Sequence, residues 1–264
     1  MKRLPEILFF DIDGTLVSFQ THRIPQSTVD AIAAAREAGC RIVIATGRPL
    51  AIINNVGQLQ ERGLVDGYVT CNGAYSVMGP AVLHSSPVPP GQVAEMRRIS
   101  DEYGYPCLFV GADGICVYRP DEEVDRVFRQ FLNVGDIATV DIDAVMAGPV
   151  YQMTAFFTPD RQAGVERMLP DCEFNRWYPT FVDITAAGND KAAGIQIVAD
   201  RLSADISATM AFGDGGNDIP MLRRAGTGVA MGNAGDDVKA AADYVTATVD
   251  DDGVARALRH FGVI

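Results

Sequence analysis

What most constrains this chain is a pattern that occurs three times: a short apolar run that stops at a polar, glycine-bearing turn. Ile7-Leu8-Phe9-Phe10 runs into Asp11-Ile12-Asp13-Gly14-Thr15. Cys40-Arg41-Ile42-Val43-Ile44-Ala45 runs into Thr46-Gly47-Arg48-Pro49, and Thr209-Met210-Ala211-Phe212 into Gly213-Asp214-Gly215-Gly216-Asn217-Asp218. Runs of this length read as strands buried on both faces. A helix between the first two makes the connection a right-handed parallel crossover, so their carboxyl ends share one sheet edge. Side chains two apart in extended chain point the same way, which lets Asp11 and Asp13 face one small volume. Two carboxylates held together repel unless a cation lies between them or one keeps a proton. The pair is therefore a metal site, an acid/base pair, both, or an Asx-type turn that merely closes a strand.

The punctuation along the chain predicts the remaining elements. A helix is expected over 25–38 with Gly39 as its stop, and another over 49–60 with Pro49 at its first position. A third strand over 67–71 ends at Asn72-Gly73, a hairpin turn signal. From Ala81 the pattern changes, and Pro87, Pro89, Pro90 and Gly91 mark a linker. Helices over 92–103, 122–132 and 161–169, with strands over 107–110, 115–118, 151–157, 173–177 and 181–185, read as a separate α+β unit. The chain is thus divided into a discontinuous core, 1–80 and 186–264, and an insert, 81–185. Past the insert, Asp190 is expected to cap a helix running to Leu202, with Lys191 in its first turn. A lysine there opposes the helix dipole, and a locally broken rule points to function. Strands over 227–231 and 244–246 and helices over 219–225, 236–242 and 253–260 complete the core.

Composition narrows the partners. A net charge of -12 argues against a broad electrostatic grip on nucleic acid or on an anionic membrane, and no apolar run reaches membrane-spanning length. Five cysteines without C-x-x-C spacing and three histidines make a zinc site a poor reading. The cysteines instead suit small buried hydrophobes in a reducing compartment, and the opening residues lead straight into the first strand. A cytoplasmic protein is expected.

Four segments bring polar groups to the strand ends, where open parallel sheets bind ligands: Asp11/Asp13, Thr46/Gly47, Lys191, and Asp214/Asn217/Asp218. Hard oxygen ligands favour Mg²⁺. Mg²⁺, a lysine and amides at a helix start are suited to holding phosphate. A carboxylate beside a held phosphate can attack phosphorus in line, and a second carboxyl can serve the leaving oxygen and then the attacking water. That division of labour suits hydrolysis.

The ordered set D-x-D-G-T, T-G, K and G-D-x-x-N-D resembles the haloacid dehalogenase superfamily of phosphatases. The insert between the second and third motifs is similar to that of the Cof-type sugar phosphatases. The resemblance covers essentially the whole chain. It implies a doubly wound, Rossmann-like α/β core with a mobile α+β cap. It implies Asp11 as nucleophile and Asp13 as general acid/base. It implies Mg²⁺ held by Asp11, the backbone carbonyl of Asp13 and Asp214, with Asp218 in support, and a phosphoryl group held by Thr46, Gly47, Lys191 and Asn217. Gly216 departs from relatives that carry an acidic residue there, at a position with no proposed role. Asp13 stands where ion-pumping relatives have lysine, which favours a phosphatase or mutase. The expected substrate is a small phosphorylated metabolite such as a sugar phosphate or pyridoxal phosphate. Arg119, Arg176, Trp177, Tyr178 and the Asp113-Gly114 turn are candidates for its recognition. The alternatives are a phosphomannomutase-like phosphotransferase, with Arg97/Arg98 or Arg176 gripping a second phosphate, and a non-catalytic phospho-ligand binder.

Overall fold

A computed structural model describes residues 4–112, 114–135 and 139–264. Within them the chain opens with β1 (Ile7–Phe10), β2 (Arg41–Ala45), β3 (Gly67–Thr70), β4 (Tyr75–Met78) and β5 (Ala81–Ser85). It continues with β6 (Cys107–Gly111), β7 (Ile115–Tyr118), β8 (Val150–Phe156), β9 (Cys172–Tyr178) and β10 (Phe181–Ala186), then returns through β11 (Thr209–Gly213), β12 (Thr227–Ala230) and β13 (Tyr244–Val245). Among the described residues these strands form an eight-stranded sheet in the order β13-β12-β11-β1-β2-β3-β4-β5 and a five-stranded sheet in the order β7-β6-β8-β10-β9.

The larger sheet is an α/β core wound on both faces. Leu8, Phe10, Ile42 and Ile44 point to one face, against Val29 and Ile32 of the helix Gln26–Glu37 and Leu258 of the helix Gly253–His260. Ile7, Phe9, Val43 and Ala45 point to the other, against Ile195 and Val198 of the helix Lys191–Arg201 and Met221 of the helix Ile219–Arg224. Burial on both sides explains why these strands read as unbroken apolar runs rather than as alternating ones. Strand β1 lies in the middle, parallel to both neighbours, with Phe10 level with Ile44 and with Phe212. The first residues past all three strands therefore emerge at one edge.

The five-stranded sheet is antiparallel. One face, with Phe109, Met153, Val182 and Ile184, packs on Val93, Met96 and Ile99 of the helix Pro90–Tyr103. The other, with Leu108, Val110 and Phe181, shares a cluster with Ile52, Cys71 and Ala74 of the core. This second face lies over the edge at which the core strands end.

Three expectations shift. Ala81–Ser85, expected to open the insert, pairs antiparallel with β4 and is the edge strand of the core sheet. The run is short and exposed, so only its partner strand reveals it. The helix expected over 49–60 is broken into a single turn, Leu50–Ile52, and the short helix Gly57–Gln60. The carbonyl of Ile52 and the side chain of Asn54 face the Arg48 guanidinium, and Asn-Asn is a weak helix former that such partners readily unwind. The helix expected over 122–132 forms as Glu122–Asp125, capped by Asp121, and continues as a π-helical turn Arg126–Phe131. Among the described residues no helix is long and apolar enough to cross a membrane.

The helix Lys191–Arg201 approaches the sheet closely because residue 194 is glycine: a methyl built there would overlap Val69 and touch the Cα of Gly73. Gly194→Ala is expected to destabilise the protein by about 1–3 kcal/mol through overpacking. Equilibrium urea unfolding checks this; an unchanged midpoint would show that the helix can lift off without cost.

Candidate active site

The carboxyl edge of the core sheet brings the expected groups together. Asp11 directly follows β1, and its backbone N–H still donates to the carbonyl of Phe212. Its Oδ1 accepts from Lys191 Nζ at 2.6 Å, and the same ammonium donates to Asp218 Oδ1 at 2.6 Å. Lys191 is fully buried. Burial works against its charge, but the Asp11 and Asp218 carboxylates outweigh that and raise its pKa above the usual lysine range. Its helix is capped as expected, with Asp190 Oδ1 accepting from the Ala193 N–H at 2.7 Å. The unfavourable dipole position is thus offset by two carboxylates in contact.

Asp214 follows β11 at the same level. Its Oδ1 accepts from Thr15 Oγ1 at 2.7 Å, and Asn233 Nδ2 lies 3.3 Å from its Oδ2. Gly14, at φ +87°, permits this approach, since any side chain there would overlap the Asp214 carboxylate. Asp218 Oδ2 accepts from the backbone N–H groups of Asp214 and Gly215, both at 2.9 Å, which folds the glycine turn back on itself. Asp11, Asp214 and Asp218 each offer a ligand oxygen, all within 4.8 Å of one another. Burial, with help from Asp218, pushes the Asp11 carboxyl up to about 7. Burial and then the charges of Asp11 and Asp218 push Asp214 well above the carboxylate range. A buried set of hard oxygens whose mutual repulsion one lysine does not relieve suits a divalent cation.

Asp13 departs from this set. Its carboxylate turns to Arg48, whose Nε and Nη2 donate to Oδ2 and Oδ1 at 2.6 and 2.7 Å. Its side chain is therefore not among the clustered ligand oxygens. Arg48 Nη2 also donates to the carbonyl of Leu132 at 2.9 Å, so one buried guanidinium spans from Asp13 to the segment that carries Phe131. The role of Arg48 was not foreseen; the sequence shows only an arginine after T-G, and its partners lie 35 and 84 residues away.

Thr46 and Gly47 lie beside Asp11, and Thr46 Oγ1 accepts from the Arg48 N–H at 3.0 Å. Asn217 Nδ2 donates to Asn72 Oδ1 at 2.9 Å. Asp11, Asp13, Thr46, Gly47, Asp214 and Asn217 line one cavity of about 180 Å³, roofed by Phe19, Phe131, Trp177 and Tyr178. The rings form a continuous wall: Phe19 stacks on Phe131 with centroids 4.8 Å apart, and Phe131 meets Tyr178 at 4.8 Å. Trp177 and Tyr178 stand where the insert was expected to meet a substrate. Phe19 and Phe131 were not foreseen, because an isolated phenylalanine carries no sequence signal.

The arginines are elsewhere. Arg97 pairs with Asp143, Arg98 with Glu95 and Glu102, and Arg119 with Asp101, all away from the cavity. Arg176 Nη1 donates to the carbonyls of Phe157 and Phe181 at 3.1 and 2.9 Å, holding the turn that carries Tyr178. Asp113 lies outside the described residues.

This geometry agrees with what the chain is similar to. Residues 8–258 match the haloacid dehalogenase-like hydrolase family. The chain belongs to that family. Within the haloacid dehalogenase-like hydrolases, it is similar to the subclass IIB sugar phosphatase BT4131. The two structures share 50% identity and a TM-score of 0.94, covering 98% of this chain and 100% of that one. It is also similar to the phosphatase BT1666 of Bacteroides thetaiotaomicron, at 35% identity and a TM-score of 0.88, covering 99% and 96%. Among curated relatives, the pyridoxal phosphate phosphatase YbhA of Escherichia coli is 31% identical over 266 residues, 95% of this chain and 96% of its own.

Replacing Lys191 by methionine leaves Asp11 and Asp218 facing each other without the ammonium. Urea unfolding at pH 7 in metal-free buffer is expected to show a loss of about 3–5 kcal/mol, the cost of breaking a buried pair. A loss below about 1 kcal/mol would mean that solvent or protons already relieve the carboxylates there.

Proposed function

We propose that this enzyme hydrolyses the phosphomonoester of a small metabolite with a sugar-like ring, using Mg²⁺ and an aspartyl-phosphate intermediate. The observation that carries this reading is the seat of Asp11. It stands at the end of the central strand, on the floor of a roofed cavity, between a buried lysine and two further carboxylates. Asp11, Asp214 and Asp218 would hold Mg²⁺, which when bound supplies positive charge to offset the phosphoryl oxygens and the carboxylates around it.

Thr46, the Gly47 backbone, Lys191 and Asn217 hold the phosphoryl group. The free oxygen of Asp11 attacks phosphorus; the Asp11 oxygen–phosphorus bond forms as the bond to the leaving oxygen breaks. Asp13 gives its proton to that oxygen and then takes one from the water that attacks the same phosphorus, which returns Asp11 as a carboxylate and releases phosphate. In this structure both Asp13 oxygens accept from Arg48, which holds the carboxylate in place and favours its charged form; to serve the leaving oxygen, one of these two bonds must open as substrate binds.

Residues 86–186, which contain the five-stranded sheet, act as the cap that closes the site and selects the substrate. The aromatic wall offers a face to the C–H side of a sugar, and the similarity to a sugar phosphatase supports that class. Arg97, Arg98 and Arg119, the arginines a mutase reading would use, are paired away from the cavity, and the cavity-lining Arg48 is committed to Asp13, which favours hydrolysis over a mutase. Five free cysteines suit a reducing, cytoplasmic location.

Phosphate release from a panel of hexose and pentose phosphates and pyridoxal phosphate, with Mg²⁺ and then with EDTA, tests the reading. Release is expected to need Mg²⁺ and to fall at least about 10³-fold in Asp11→Asn, as loss of a nucleophile does. Release that persists in EDTA or in the variant would overturn the mechanism. Tyr178→Ala is expected to raise KM for the favoured ester about 10-fold with a smaller change in kcat, the pattern of lost substrate contact. An unchanged KM would remove the aromatic wall from substrate recognition.

A further inference from the structure

Three consecutive residues past β3 hold left-handed backbone: Cys71 at φ 50°, Asn72 at φ 49° and Gly73 at φ 100°. For the two that are not glycine this backbone is strained, and such strain collects where the surroundings demand one conformation. Asn72 is fully buried. Its backbone N–H donates to the carbonyl of Thr46 at 3.2 Å. Its side-chain Nδ2 donates to Asp183 Oδ2 at 3.1 Å, and its Oδ1 accepts from Asn217 Nδ2 at 2.9 Å. The strained turn thus places one amide between the five-stranded sheet and the candidate phosphoryl site.

Asp183, on β10, is the other end of this chain. Its Oδ1 accepts from Thr154 Oγ1 at 2.7 Å and Gln152 Nε2 at 3.2 Å; its Oδ2 accepts from Asn72 and from Trp177 Nε1 at 3.1 Å. Gln152 Nε2 also reaches the carbonyl of Gly47 at 3.1 Å. Four donors face one carboxylate. Burial raises its pKa to about 6 against their pull, and with two donors at 2.7–3.2 Å on each of its oxygens the carboxylate acts here as an acceptor. An acceptor-only group forces Asn72 to present its Nδ2 and hence to turn its Oδ1 toward Asn217. That in turn forces Asn217 to point its own Nδ2 this way, leaving the second hydrogen of that nitrogen for another acceptor. Asn217 lines the cavity, whereas neither Asn72 nor Asp183 does.

We infer that Asp183 and Asn72 are positioning residues: through two amides they set the direction of Asn217, so that an N–H rather than a carbonyl faces the phosphoryl group. The inference rests on the proposed phosphatase reading, in which Asn217 holds that group. Because Asp183 belongs to the five-stranded sheet, the orientation is imposed only while that sheet lies on the core. Binding of phosphate and closure of the cap are coupled by the direction of these hydrogen bonds. Trp177 receives the same signal on the roof of the cavity, since its N–H is tied to the same oxygen as Asn72.

The test uses the full chain with Mg²⁺ and p-nitrophenyl phosphate, with inorganic phosphate as competitive inhibitor. Asn72→Gly keeps the left-handed backbone available and removes the amide, so the protein is expected to stay folded with a lower thermal midpoint, since Asp183 and Asn217 each lose a buried partner. Asp183→Asn keeps the shape and adds a donor that lets both amides turn over. Each is expected to lower kcat/KM about 10–100-fold and to weaken phosphate inhibition by a similar factor, as loss of an outer partner to a site residue does. In an Asn217→Ala background the same changes are expected to cost less than about 3-fold more, because the group they act through is gone. Equal losses in both backgrounds, or a stable Asn72→Gly with full activity, would overturn the inference while leaving the phosphatase reading intact. A wild-type enzyme that releases no phosphate from any ester would overturn the reading, and this inference with it.

Discussion

The structure depends on one buried ammonium. Lys191 sits between Asp11 and Asp218 with a short bond to each, at the point where the carboxyl ends of β1 and β11 converge. The core topology brings several acidic side chains to that edge, where burial first and their mutual repulsion second disfavour their charge. A lysine on a separate helix, delivered after the whole insert, supplies opposite charge that neither strand can. The contest between desolvation and attraction is decided for attraction, since both carboxylates are in contact with the amine. Burial, and then the charges of Asp11 and Asp218, hold the Asp214 carboxyl well above its usual range, a cost that a cation beside these three groups would relieve.

Positive charge is distributed sparingly elsewhere in this acidic chain. Arg48 is committed to Asp13 and to the carbonyl of Leu132, and Arg176 to the carbonyls of a hairpin turn. These two guanidiniums organise the roof without presenting free charge to the cavity. The roof itself is aromatic, so the floor attracts anions and cations while the walls suit a ring. This separation of polar floor and apolar wall is the physical basis for reading the site as one that grips phosphate below and a compact metabolite above.

The strand ends were legible because the information lay in contiguous residues. An apolar run followed by Asp-x-Asp-Gly or Gly-Asp-Gly-Gly-Asn-Asp names both the strand and the edge at which its polar groups emerge. Lys191 was legible for a different reason: it violates the dipole rule at a capped helix start, and the violation has a cause in two distant carboxylates. Residues 49–60 were misread as one helix because the competitor for its hydrogen bonds, the Arg48 side chain, is oriented by Asp13 and by the carbonyl of Leu132. Ala81–Ser85 was misplaced in the insert because an exposed edge strand has neither the alternation of a half-buried strand nor the apolar run of a buried one.

By itself, then, the sequence determined the α/β core, the order of its motifs, and which residue types gather at the carboxyl edge. Local periodicity and turn chemistry encode these within a few residues. Only the tertiary structure decided which carboxylates cluster and which one pairs with an arginine, where the roof rings stand, and that Asp183 reaches Asn217 through Asn72. Most of those contacts join distant segments, as Lys191 does with Asp218 and Asp11 across 27 and 180 residues, and no local pattern records them. The lysine contacts exist because the two ends of the chain build one core sheet, and the contacts of Asp183, Trp177 and Tyr178 because a second sheet, folded from the middle of the chain, rests on that sheet's edge.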